Sequence, residues 1–115
     1  MIIHVADRKL KEALEDDKEC RRRFGSEMAK KIKLRLTALR AAESLADFLP
    51  PLSGPERCHE LKADLAGTFS IDLKHPYRLL LQPSKPTTGQ AEQDLKARWR
   101  AIEAVNIVGI EDTHG

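Results

Sequence analysis

The feature that most constrains this chain is a change of period at Pro50-Pro51. Before the prolines, apolar residues recur at helical spacing; after them they alternate. In residues 26–46, Met28, Ile32, Leu36 and Leu39 form one stripe of a helix, with Lys30, Lys33 and Arg40 elsewhere on the cylinder. Paired prolines stop such a helix, because proline lacks the N–H and its ring clashes with the preceding turn. In residues 68–73, Phe69, Ile71 and Leu73 fall on one face, with Ser70 and Asp72 on the other. A helical half that needs a surface and a strand half that offers one predict an α+β domain, with helices on one face of a mostly antiparallel sheet.

The remaining elements follow from local chemistry. Residues 1–6, with Ile2, Ile3 and Val5, read as a strand, and Asp7 as the cap of a first helix from residue 8, on which Leu10 and Leu14 share a face. Gly25 closes that helix and Ser26 is expected to cap the second, so the two should pack antiparallel. Residues 57–62 read as a short strand. His75-Pro76 makes a turn, and Tyr77, Leu79 and Leu81 line one face of the next strand. Arg78 lies opposite, on solvent or in a polar cleft. Residues 83–94 are polar and contain Pro and Gly, which predicts a flexible loop. Residues 102–111 are apolar on both faces, as a central strand covered on both sides would be. A sheet of four to five strands is expected, in a single domain spanning residues 1–115.

Composition narrows the class. Of the residues, 41% are hydrophobic and 33% charged, and no apolar run approaches the roughly 20 residues that span a bilayer. The amino terminus meets charges at once, so no secretory signal and a cytoplasmic location are expected. Cys20 and Cys58 are expected as reduced thiols. The net charge is only +2, but residues 8–40 hold twelve Lys or Arg against six Asp or Glu. That asymmetry suggests a basic helical surface for phosphates or an acidic partner, with Arg21, Arg22, Arg23, Lys30 and Lys33 as binding candidates, or else merely solvated helix faces.

No Cys-x-x-Cys, His-Glu-x-x-His or glycine-rich phosphate loop occurs, so no metal and no cofactor is expected. Ser70 lacks a nucleophile elbow and is expected on the strand surface. Reactive groups concentrate instead at His59, Lys62, Asp64, Arg78, Asp112 and His114, which neighbouring antiparallel strands could bring onto one face. Cleaving RNA requires deprotonating a 2′-hydroxyl, stabilising a dianionic phosphorane and protonating the leaving 5′-oxygen. Histidine serves as acid or base near neutral pH, and Lys or Arg supplies fixed positive charge.

Four segments, in order, carry a family resemblance: His59-Glu60-Leu61-Lys62-Ala63-Asp64, Gly67-Thr68-Phe69-Ser70, Tyr77-Arg78 and Asp112-Thr113-His114. Together with the first strand and the RFGSEMAKKIKLRL helix start, they resemble the HigB-like toxins, the plasmid maintenance killer branch of the RelE/ParE superfamily. The resemblance implies a RelE/ParE-like fold and the toxin of a type II toxin–antitoxin pair. Such a toxin cleaves messenger RNA in the A site of the small ribosomal subunit. Its partner is a HigA-like helix-turn-helix antitoxin, through which alone it meets operator DNA, and no membrane is involved. It assigns His59, Lys62, Arg78, Asp112 and His114 to catalysis, with Lys62 and Arg78 on the phosphate, His114 or His59 moving protons and Asp112 assisting. Two positions depart from the family pattern. Ala63 stands where the family has glycine, and Thr113 replaces a tyrosine whose ring could stack on a base. Thr113 motivates one alternative, a catalytically dead scaffold in an autoregulatory antitoxin complex. The other alternative is a ParE-like gyrase inhibitor on the same fold.

Overall fold

A computed structural model describes residues 1–85 and 94–112. Strand β1 (Ile2–Val5) leads into helix α1 (Arg8–Glu15), whose cap is the expected Asp7, accepting from Leu10 N–H at 2.8 Å. The first helical region is not continuous. Asp16 ends α1 and its carboxylate accepts from the Lys18 and Glu19 N–H groups, starting α2 (Asp17–Phe24). A side chain that satisfies orphan amides competes with helix continuation, so Asp16 divides the run.

Gly25, at φ 85°, closes α2 as expected and also serves as the cap of α3 (Ser26–Ala41), so Ser26 is the first helical residue rather than its cap. The expected stripe, Met28, Ile32, Leu36 and Leu39, is buried. Lys33 reaches Asp17 at 3.3 Å, which fits the antiparallel packing of α2 and α3. Helix α3 ends five residues before the predicted limit of 46. Ala42 is extended, and Ser44 caps a 3-10 turn at Leu45–Phe48.

The second half builds β2 (His59–Glu60), a 3-10 turn (Ala63–Leu65), β3 (Phe69–Asp72), β4 (Tyr77–Pro83), α4 (Leu95–Arg100) and β5 (Ala104–Asp112). The sheet order is β1-β5-β4-β3-β2, antiparallel except for the parallel β1–β5 pair. The expected loop at 83–94 is bounded by structure, since Pro83 belongs to β4 and Asp94 caps α4; residues 86–93 lie outside the described residues.

Helix α4 is not anticipated from the sequence, yet its Trp99 is 1% exposed and meets Phe69 edge to face at 5.3 Å between ring centroids. The core lies between the helices and one sheet face, with Phe69, Ile71, Leu79, Leu81, Val105 and Ile107 fully or almost fully buried.

β5 is central in the sheet but is not covered on both sides. Leu79 stands opposite Ile110, Leu80 opposite Gly109 and Leu81 opposite Ile107, so β5 carries one extra residue, Val108. That bulge turns Ile107 and Ile110 to the same core face and leaves Val108 46% exposed. Among the described residues no helix is long and apolar enough to cross a membrane.

Candidate active site

On the sheet face away from the helices, Asp72, Arg78 and Glu111 form one register row across β3, β4 and β5. His59, Ser70 and Leu80 form the next row on that face, two residues or about 7 Å along the strands. The hairpin at His75-Pro76 fixes this arrangement, because a tight antiparallel turn there must place Asp72 beside Arg78.

Asp72 is the centre of the first row. Its Oδ2 lies 3.3 Å from Arg57 Nε and its Oδ1 3.5 Å from Arg78 Nε. Its backbone is held as well. The N–H donates to the Glu56 carbonyl at 2.8 Å, and the carbonyl accepts from buried Arg35 Nε at 2.8 Å. The Arg78 side chain is 20% exposed and that of Asp72 28%, so this pair is partly removed from water, whereas Arg57 reaches further into it.

Arg57 also shapes the second row. Its backbone is left-handed, φ 46°, a conformation that is costly for a residue with a side chain. The Arg57 carbonyl lies 3.0 Å from His59 Nδ1. A carbonyl only accepts, so Nδ1 carries the hydrogen and the neutral ring keeps its lone pair on Nε2. Between the two, Cys58 is fully buried, which pins the chain and pushes its thiol up to about 12. Cys58 and Cys20 are both free thiols.

Lys62 and Asp64 occupy another part of the surface. Beyond β2 the chain runs toward the Thr68 end of β3, where Leu61 N–H donates to the Thr68 carbonyl at 2.8 Å. Thr68 is four residues from Asp72, or about 13 Å along the sheet. Both side chains are exposed there. The turn that carries them is tied down from the helix side. Glu60 pairs with Arg98 of α4, and its Oε2 accepts from Gly67 N–H at 3.0 Å. Hydrogen bonding to Arg98 holds the Glu60 carboxyl below the usual carboxylate range.

Asp112 stands in register with Tyr77, one residue past Glu111, and so takes the alternate pleat to the Arg78 row. Thr113 and His114 lie outside the described residues. Ser70 is not a surface residue. It is fully buried, and its Oγ has no hydrogen-bond partner among the described residues.

The basic candidates belong to the helix layer, across the sheet from Asp72. Arg21, Arg22, Arg23, Lys30 and Lys33 are all exposed. Arg22 bonds Glu19 through Nε and a terminal nitrogen at 3.0 and 2.8 Å. Arg23 lies 5.1 Å over the Phe24 ring, and Lys33 pairs with Asp17. His59 and Arg78, both candidates from the sequence, thus share a sheet face, while Arg57, Asp72 and Glu111 are members of that face which the sequence did not single out. Among the described residues, no group of three or more His, Cys, Asp or Glu could hold a metal ion.

No family model and no curated protein matches the sequence. Solved structures do. A YoeB/ParE toxin from Agrobacterium tumefaciens matches with a TM-score of 0.56 at 15% identity, covering 99% of this chain and 100% of the other. The chain has the fold of the YoeB/ParE toxins. A chain of the YoeB-YefM complex from Staphylococcus aureus matches with a TM-score of 0.54 at 16% identity, over 96% of this chain and 94% of that one. A YoeB dimer from the same organism gives a TM-score of 0.53 at 16% identity. The expected RelE/ParE-like fold, helices on one face of a mostly antiparallel five-stranded sheet, is thus the observed one.

Proposed function

We propose that this protein is the toxin of a type II toxin–antitoxin pair, a ribosome-dependent endoribonuclease of the HigB-like branch that cuts messenger RNA in the cytoplasm. The observation that carries this reading is the sharing of one sheet face by His59, with Nε2 left as the basic nitrogen, and Arg78, held beside Asp72. The fold shared with YoeB/ParE toxins and the ordered family segments support it.

In this mechanism His59 Nε2 takes the proton of the 2′-hydroxyl, whose oxygen attacks the adjacent phosphorus. Arg78 neutralises the non-bridging oxygens as the phosphorane gains charge. The leaving 5′-oxygen takes a proton from His114, and Asp112, which stands on the alternate pleat to Arg78, assists only by orienting that histidine. This leaves a 2′,3′-cyclic phosphate on one fragment and a 5′-hydroxyl on the other. Lys62 meets a phosphate further along the strand, given its distance from the Arg78 row. The exposed cations of α2 and α3 add affinity for ribosomal RNA. A helix-turn-helix antitoxin of the HigA-like kind holds the toxin inactive, and operator DNA is reached only through it.

The test is induced expression followed by mapping of messenger RNA 5′ ends, with translation running and with initiation blocked. New ends that appear only on translated messages support the reading. Growth arrest with intact messages would leave a toxin of another target, and neither arrest nor cleavage would leave an inactive antitoxin-binding scaffold.

A further inference from the structure

We infer that Arg57 is a second phosphate-binding residue of the candidate site, paired with Arg78 across Asp72 to grip one RNA phosphodiester from two sides. The inference rests on the reading of the site as an RNA-cleaving one. It extends that reading to a residue which neither the sequence motifs nor the family resemblance assigns.

Three observations converge on Arg57. The first is its partner: Asp72 meets both guanidinium groups, with 3.3 Å to Arg57 Nε and 3.5 Å to Arg78 Nε. One carboxylate therefore sets the spacing of two cations, while its own backbone is fixed by Glu56 and Arg35. The Arg57 guanidinium has five N–H donors, and the single carboxylate oxygen it meets engages only part of that set. The second is exposure. The Arg57 side chain is 54% exposed, so more than half of it is open to water and to an anion.

The third is strain. The left-handed backbone at φ 46° would be cheaper with glycine, yet the position holds an arginine. That conformation brings the Arg57 carbonyl to His59 Nδ1 while the side chain reaches Asp72. One residue thus orients the proposed base and offers a cation beside it. The substrate chemistry implied is a phosphodiester with an adjacent 2′-hydroxyl, held between two planar donors with His59 Nε2 alongside. Asp72 is a positioning residue in this scheme and makes no bond to the RNA.

Arg57→Gly tests this without adding strain, because glycine adopts the left-handed conformation freely and keeps the carbonyl that orients His59. The probe is a fluorescein-labelled single-stranded RNA oligonucleotide carrying a 2′-O-methyl group at every position, so that it binds without being cut. Arg78 still covers the same phosphodiester in the variant, so the quantity read is the affinity at one fixed, low salt concentration rather than the number of phosphates neutralised. The expected result is binding weakened by about tenfold in Arg57→Gly and largely restored in Arg57→Lys, with cleavage of translated messages at least about tenfold slower in the glycine variant. A wild-type affinity and wild-type cleavage in Arg57→Gly would overturn the inference while leaving the endoribonuclease reading intact. A wild-type protein that cuts no message would overturn both.

Discussion

Replacing Ala63 with glycine should stabilise the protein, although glycine ordinarily weakens a folded chain. Ala63 opens the 3-10 turn after Lys62 with φ 57°, in the left-handed region. There Cβ crowds the following carbonyl at a cost of about 1–2 kcal/mol for a residue with a side chain. Glycine removes that cost but adds about 0.4–1 kcal/mol of backbone entropy to the unfolded state. The net gain is about 0.5–1 kcal/mol, which raises the melting temperature by about 2–6 °C for a domain of this size. The hydrogen bond from Ala66 N–H to the Ala63 carbonyl, at 3.0 Å, involves backbone atoms alone and survives the substitution. Ala66 supplies the control. Its φ is −54°, so Ala66→Gly has no strain to relieve and should destabilise by about 0.4–1 kcal/mol. Urea denaturation of the two variants gives the comparison, with equal m-values required. If Ala63→Gly is no more stable than wild type, or if both variants shift alike, the strain argument fails. The glycine that the family carries at this position is then explained by something other than backbone geometry.

Three further outcomes follow from particular contacts. Glu60→Gln should cost about 1–3 kcal/mol at neutral pH, since Arg98 loses a charged partner in a site where both side chains are largely covered. Because the folded Glu60 carboxyl is depressed, its contribution is present above the ordinary carboxylate range and lost as pH falls below about 4, so the variant's acid unfolding curve should be flatter there. Lys62→Ala should change stability by under about 0.5 kcal/mol, whereas Arg78→Ala should cost about 1–2 kcal/mol by leaving the Asp72 carboxylate short of a partner; calorimetry on both checks this. Neutralising Arg21, Lys30 and Lys33 together should weaken ribosome association and lower its salt slope, and an unchanged slope would assign these charges to solvation and to contacts such as Lys33–Asp17.

Regular repetition is legible in the sequence, and single-residue geometry mostly is not. The stripe of α3, the alternation of β3 and β4, the hairpin turn and the glycine closing α2 each follow from a pattern whose physical cause acts locally. Asp16 interrupts a continuous helical pattern because its side chain satisfies backbone donors. The Asp16 and Glu19 spacing of a capping box is the available signal. Helix α4 is six residues long, too short to show a period, and only the cap-like Asp94 and the spacing of Leu95 and Trp99 hint at it. The bulge at Val108 cannot be read from alternation, because it emerges only when β5 is paired with β4.

The site shows the same division. His59 and Arg78 are visible as unusual residues in recognisable segments. Alternation puts Asp72 on the correct face but makes it look like plain strand surface, and Arg57 looks like any loop arginine until φ 46° and the Asp72 contact are seen together. Of the two surroundings expected for Arg78, solvent or a polar cleft, the structure has the second: the side chain is mostly covered and ion-paired. The family resemblance puts Lys62 and Arg78 on one phosphate. The direction of β2 separates them along the sheet, so the structure does not bring the two together.

In the proposed mechanism the Asp72–Arg78 face of the sheet cuts RNA. Purified protein mixed with ribosomes stalled on a defined message tests it most directly, with wild type and a folded Arg78→Ala variant compared and the new RNA ends identified chemically. The expected result is cleavage by wild type only when ribosomes are present, a 2′,3′-cyclic phosphate on the upstream fragment, and a loss of at least about a hundredfold in rate in Arg78→Ala, the scale expected for removing one transition-state charge contact. Cleavage by Arg78→Ala at the wild-type rate, or a message left whole by the wild-type protein, would contradict it.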